Sequence, residues 1–332
     1  MDNYLSNKFR IAGLIATFMV IFRHSLNMEA FFGSPINAPI WLREIEQGWS
    51  TITECAVPYF FAVSGFFFFR RPIVSFSDWF LMLQNKLKSL FVPFILWNIV
   101  GAFVIFLSGR FVFEDNNLDY VIRLLNSDYD GVLWYIRNLM LLMLFSPLYG
   151  WLFKINHWGI YIPLLVFLIY WWWPVEMTPW SSEGILFFFI GGIIQKKIDL
   201  TDIHVSPIFL IISIFLILVM DFSPLRSYMA VRKISVLLSI VSFWQLIELI
   251  PLRIKELIVL ISKHGFFMFA FHQFVIKAMK VTLAHYFFNS GLVAIIAYFV
   301  LPILTFCILY FVGVYWKKLM PRIYSLFVGG RA

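Results

Sequence analysis

Charge is scarce in this chain. Lysine, arginine, aspartate and glutamate make up 13% of its 332 residues, against roughly a quarter in an ordinary soluble domain, and that deficit excludes a fold whose whole surface must be hydrated. Cysteine is scarcer still. Cys55 and Cys307 are the two present, both inside apolar stretches, so there is no disulfide framework and no zinc-ligand spacing, and no metal is expected. Long polar connections are missing as well: the longest, Ser108 to Gly131, is too short to bury a core of its own. With no repeat and no low-complexity linker, the chain reads as one integral membrane domain over 1–332.

What is present is apolar. Hydrophobic residues make up 61% and aromatics 20%, with a mean hydropathy of +0.86. Crossing the hydrocarbon core takes about 20 helical residues, and about ten stretches approach that length: 9–28, 50–69, 86–108, 132–153, 158–173, 182–196, 205–221, 232–250, 257–283 and 290–316. The expected fold is an all-α polytopic membrane protein, a bundle of about ten transmembrane helices. The first stretch has no small-residue cleavage site behind it and reads as a retained span.

The net charge of +8 does not point to nucleic acid, because the basic residues are scattered between apolar runs rather than gathered on one polar surface. Lipid headgroups and an anionic ligand are the expected partners. Alternate loops carry Arg70, Arg71, Lys86 and Lys88, then Lys154, then Lys196 and Lys197, Arg253 and Lys255, and Lys317, Lys318 and Arg322. The positive-inside rule puts these loops, and both termini, in the cytoplasm. Arg226, Arg232 and Lys233 fall on the opposite side and depart from the rule.

Ionisable residues within spans are costly and therefore candidates for function. His24 closes the first span, and Arg10 lies fourteen residues earlier, about four turns and about 21 Å down the same helix face. The second span runs the other way from Glu54 to Arg70, about 24 Å, so Glu54 is expected at the depth of His24, where a carboxylate beside an imidazole fixes its tautomer and raises its basicity. Each residue also has a plainer role open to it. His24 fits an interfacial histidine at the headgroups, and Arg70 and Arg71 fit the positive-inside rule alone. Ser64 and Gly65 fit close helix packing, and Glu54 beside Pro58 fits a partner for freed backbone groups. Trp49, Trp134, Trp172, Trp173 and Trp180 fit an aromatic belt as well as a sugar-stacking surface.

The ordered set "FMVIFRHS", "VPYFFAVSGFFFFRR", "KLKSLFVPFILWN", "LWYIRNLMLLMLFSPL" and "ISKHGFFMFAFHQFVIK" resembles the acyltransferase family 3 proteins, integral membrane enzymes that O-acylate surface glycans. The resemblance implies that His24 is catalytic. The family's arginine usually stands eleven residues before that histidine, where this chain has Gly13, with Arg10 one turn further back. By the same resemblance Arg70 and Arg71 serve acyl-CoA use, and Trp134, Arg137 and His272 match family positions. The corresponding expectation assigns catalysis to His24, Glu54 and Arg137. It assigns binding of cytoplasmic acetyl-CoA to Arg10, Arg70, Arg71, Lys86 and Lys88, and acceptor contact to Trp134 and His272. The acceptor expected is a lipid-linked or nascent polysaccharide such as O-antigen at a bacterial inner membrane, and the chain resembles the form without a fused extracytoplasmic hydrolase-like domain. The competing expectation is a transporter or flippase for a glycolipid or small anion, with the same charges lining a path.

Overall fold

The computed structural model describes residues 3–70, 75–114, 116–153, 160–173, 180–198, 200 and 206–331. Among these residues the chain is helical with no strand, and each of the ten expected stretches contains a helix. Among the described residues five helices, against the ten spans expected, are long and apolar enough to cross a membrane: Asn3–Phe32, Ile40–Phe68, Phe76–Leu107, Met229–Leu249 and Gly291–Leu319. The pair Gly131–Leu144 and Ser146–Leu152, bent by 58°, would make a sixth. Pro147 opens the second half of that pair, where its missing N–H and ring displace the regular ladder and explain the bend. Tyr161–Trp172 and Pro207–Asp221 are apolar but shorter. Pro174 and Pro179, which interrupt the sequence pattern here, lie outside the described residues.

The chain divides into two compact units, Met1–Tyr59 with Thr201–Val314, and Phe60–Leu200 with Tyr315–Ala332. In the first unit, the helix Asn3–Arg23 packs on Leu252–Ile261 and Gly265–Tyr286, while Pro207–Asp221 packs along Met229–Leu246 and against Ile40–Ile52. Ile21, Phe31, Leu42, Ile276, Ala294 and Leu301 build its core. The N-terminal end of the first helix carries a polar cluster: Lys8 is buried and paired with Glu248, which also accepts from Tyr4, and its ammonium sits 4.4 Å from the centre of the Trp244 ring. Ion pairing combined with an aromatic face is how a lysine tolerates such burial.

In the second unit, Ser182–Lys197 packs between Tyr161–Trp172 and Trp134–Leu144. Its start is capped by Ser181 Oγ, which accepts from Gly184 N at 3.2 Å, and its last turn carries Lys196 and Lys197, favourable at the negative end of the helix dipole. The helices Ala56–Phe68 and Ser182–Lys197 meet backbone to backbone. A Cβ on Gly65 would lie 2.0 Å from the Phe188 carbonyl oxygen, and one on Gly191 would lie 1.9 Å from that of Ala62. Ser64 beside it is held by the Tyr135 hydroxyl at 2.9 Å, and Tyr135 also donates to Phe60 O at 3.1 Å. "SGF" thus carries close packing, one of the two readings open from the sequence.

The C-terminal helix Pro321–Phe327 packs on Val92–Leu107 in this second unit. Tyr324 is fully buried and the Trp97 indole donates to Phe327 O at 3.0 Å. Deleting residues 321–331 strips that cover and leaves the indole N–H unpaired, a loss of the size of a large aromatic core truncation, about 3–5 kcal/mol. A red-shifted tryptophan emission and an early thermal transition in detergent are expected, and an unchanged melting curve would refute the role of the tail.

Candidate functional site

The first unit gathers its polar residues where the helix Asn3–Arg23 ends. His24 and Ser25 make the terminal turn, with His24 N bonded to Val20 O at 3.2 Å and Ser25 N to Phe22 O at 3.0 Å. The carbonyls beyond have no helical partner, and Lys280 supplies one: its ammonium donates to His24 O and Leu26 O, both at 2.9 Å. Two residues on, the short helix Met28–Phe32 begins, and there Glu46 Oε2 accepts from Asn27 N at 2.8 Å. A cation on the carbonyl end and a carboxylate on the amide end satisfy both halves of one turn, each matching the local backbone dipole. Asn27 Nδ2 donates to Ala294 O at 2.9 Å and the Tyr298 hydroxyl to Glu46 O at 3.0 Å, so three other segments of chain, those carrying Glu46, Lys280 and Ala294 with Tyr298, hold the residues that follow His24.

His24 itself is half-buried, and its ring centre lies 5.1 Å from that of His272, a residue with no exposed surface. His272 Nδ1 is 2.6 Å from Phe269 O. A carbonyl only accepts, so this nitrogen carries the proton and Nε2 is left as an acceptor. That Nε2 is buried without a hydrogen-bond partner. His272, expected to contact the acceptor, is fully buried and lies beside the His24 ring.

Glu54 does not lie on His24 as expected. Its carboxylate pairs with Arg23 at 3.1 Å and with Arg232, which binds both of its oxygens. Arg23 directly precedes His24 in the chain and also donates to Ser50 O at 3.1 Å. Full cations on either side outcompete a neutral imidazole for a carboxylate, which is why the pair predicted from equal depth does not form. Arg10, on the same helix, is exposed.

In the second unit, Arg70 is exposed at the turn after Ala56–Phe68, and Arg71 lies outside the described residues. Lys86 is half-buried and Lys88 exposed, flanking and within a wide helical turn over Leu87–Phe91 that closes i→i+5 bonds, a geometry that recurs at functional sites. Trp134 is half-buried and its ring faces Phe61 at 6.3 Å. Arg137 Nη1 donates to Asn126 O at 2.8 Å, while its Nε is buried and unpartnered.

The sequence pattern of the acyltransferase 3 family, described as an acyltransferase domain, matches residues 14–316. The chain belongs to this family. Among curated proteins this acyltransferase family member is similar to the succinoglycan biosynthesis protein ExoH of Rhizobium meliloti (strain 1021), 27% identical over 235 residues. That match covers 63% of the chain and 61% of the relative, so the chain spans less than two thirds of the length of the protein it resembles. No solved structure matches.

For an acyltransferase the arrangement offers an accessible imidazole on a rigidly held turn, backed by a second ring with a lone pair to spare. Sequence reasoning missed Lys280 and Glu46, which hold that turn, and Arg23 and Arg232, which take Glu54. Lys280 stands with Lys277 inside a largely apolar stretch, and an ionisable residue there is a signal. Its partners are backbone carbonyls, which leave no mark in a sequence.

Proposed function

We propose that the protein is a membrane O-acyltransferase that moves an acyl group, acetyl in the simplest case, from cytoplasmic acyl-CoA to a hydroxyl of a cell-surface glycan or lipid-linked oligosaccharide. His24 beside His272 carries this reading. With its Nδ1 proton held by Phe269 O, His272 keeps an unpartnered Nε2 lone pair beside the His24 ring, 5.1 Å away centre to centre; in this reading a small ring shift on substrate binding brings one His24 N–H onto that lone pair and leaves the other His24 nitrogen bare as a general base. The bare nitrogen takes the proton of the acceptor hydroxyl as its oxygen attacks the thioester carbonyl carbon. The C–S bond then breaks, and the imidazolium returns the proton to the departing CoA thiolate. Membership of the acyltransferase family and a relative named for succinoglycan biosynthesis support the reaction class and a polysaccharide acceptor.

The donor's phosphates are assigned to Arg70, Arg71, Lys86 and Lys88, because guanidinium and ammonium groups bind phosphate by charge and, for arginine, by paired hydrogen bonds. A bacterial cytoplasmic membrane with both termini inside is the setting in which these residues meet acyl-CoA. The test is transfer of label from radioactive acetyl-CoA and succinyl-CoA into the glycan fraction of membranes containing the chain. Alkali-labile label in glycan supports the reading, and no label from any short acyl-CoA, in a background with competent acceptors, replaces it with a glycolipid exporter.

The role of His272 is separable. His272→Ala is expected to lower kcat by roughly 10²-fold, the lower end of what a positioned base contributes, with KM for acyl-CoA unchanged. His272→Asn, whose side-chain carbonyl offers an acceptor again, should recover part of the loss. Equal loss in both variants, or a change confined to KM, would remove His272 from the proton path.

A further inference from the structure

A cleft of about 410 Å³ opens in the first unit. Leu26, two residues past His24, stands at its wall, and Gln47, Ser50, Thr51 and Ser227 contribute amide and hydroxyl groups. In a chain with so few polar residues, such a concentration marks a polyhydroxylated ligand rather than a lipid tail, because pockets fix orientation through a few placed polar groups. The cleft also holds charge. Arg226 Nη1 pairs with Glu44 at 2.8 Å and its Nη2 donates to Gln47 Oε1 at 3.1 Å. Arg232 places Nε and Nη2 on Glu54, which Arg23 also binds.

Three guanidinium groups thus share the carboxylates of Glu44 and Glu54, while the Asp221 carboxyl is buried on the Ser235 hydroxyl at 2.9 Å. Arg226 is tied by three bonds, counting Ser223 O at 3.2 Å, and its side chain is 12% exposed. Arg232 is 47% exposed and spends two of its N–H groups on Glu54. A guanidinium has five. Glu54 therefore aims a fork whose remaining donors point away from its own salt bridge, which is how arginine is prepared for an oxyanion.

We infer that this cleft is the acceptor subsite of the proposed transferase and that it takes a sugar unit bearing a negative charge, with Arg232 as the anion partner and Gln47, Ser50 and Ser227 on the hydroxyls. This inference rests on the transferase reading for its place in the reaction, though not for the binding itself. Arg23 links the cleft to the reacting end of the first helix: it binds Glu54 and Ser50 O and adjoins His24 in the chain. A hydroxyl of the bound sugar is thereby delivered beside the imidazole, while the charged group is anchored away from it. The charge has two sources with one chemistry, a uronate carboxylate within the glycan or the phosphate of a lipid-linked sugar.

The experiment measures equilibrium binding to the full-length protein in detergent, without acyl-CoA, using tryptophan emission with three probes: a glucuronate-containing disaccharide, glucose 1-phosphate and a neutral glucose disaccharide. At least one anionic probe is expected to bind tenfold or more tightly than the neutral one, and Arg232→Gln should remove that preference while the neutral probe binds as before. Preference for the uronate places the charge on the glycan, and preference for the phosphate places it on the lipid linkage. Ser227→Trp, at an exposed position on the cleft rim, should fill the space and weaken all three probes without unfolding the protein. Equal binding of anionic and neutral probes, or binding indifferent to both variants, overturns the inference even where acyl transfer is demonstrated. Arg232-dependent binding in a protein that transfers no acyl group would keep the anionic-sugar site and remove the transferase reading instead.

Discussion

His24→Ala is expected to lower acyl transfer by about 10³-fold, within the 10²–10⁴ that a positioned general base supplies, and to leave the protein folded. The two halves of this expectation have separate grounds. The imidazole contributes chemistry because its ring is half-buried on an immobile turn beside the His272 ring. It contributes little to stability because Lys280, Ser25 and the backbone hold that turn through main-chain groups that alanine keeps. Truncating a half-buried side chain whose turn is held through the main chain is expected to cost about 1 kcal/mol. Initial rates with labelled acyl-CoA, at protein levels matched by size-exclusion chromatography, read both quantities. A variant retaining a tenth of the wild-type rate would sink His24 as the base, and a variant that aggregates would show that the ring is needed for the fold.

The largest effect on folding is expected at Gly65. An alanine methyl there would start 2.0 Å from the Phe188 carbonyl oxygen, and at Gly191 it would start 1.9 Å from that of Ala62. No rotamer relieves such a contact, since both partners are main chain and the atom added is a Cβ. The helices would have to separate by an ångström or more, opening voids around Phe68, Phe69 and Phe188, whose rings pack on one another at 5.0 to 5.5 Å. Overpacking alone costs about 1–3 kcal/mol, and lost aromatic contacts add about 0.5–1.5 kcal/mol each. Gly65→Ala and Gly191→Ala should therefore give little monodisperse protein and a sharply lowered Tm. Gly13→Ala, where no atom lies within 4 Å, is the matched control and should change stability by less than about 1 kcal/mol, in the stabilising direction. If Gly65→Ala melts with Gly13→Ala, the two helices do not meet as described.

The membrane character and the core of each long helix were legible from apolar runs alone, because burial in lipid and burial in protein select the same residue types, whereas the more polar starts of Ile40–Phe68 and Phe76–Leu107 fell outside the expected 50–69 and 86–108. His24 was legible for the converse reason: an ionisable group at the end of an apolar run needs explaining. Its surroundings were not. Depth arithmetic brought Glu54 level with His24 but could not weigh Arg23, whose full charge takes the carboxylate first, or Arg232, 178 residues away in sequence. The positive-inside pattern marked Arg226 and Arg232 as misplaced, and both prove to be bound to glutamates. Paired arginines of this kind form part of a site and say little about which side a loop faces. Lys8 was hidden by Arg10, the more conspicuous cation of the same helix, although Lys8 is the one buried against Glu248.

The first unit is made of Met1–Tyr59 and Thr201–Val314, with the whole of Phe60–Leu200 synthesised between them. His24 and Glu46 therefore leave the ribosome long before Lys280, the group that secures the carbonyls of His24 and Leu26 across 256 and 254 residues of sequence. Until then the carbonyls of His24 and Leu26 lack the ammonium that holds them in the folded chain, a costly state for backbone groups in hydrocarbon. The turn at His24 gains its Lys280 support only as one of the last helices arrives, so a half-made chain carries His24 in the sequence without the surroundings it has in the folded protein.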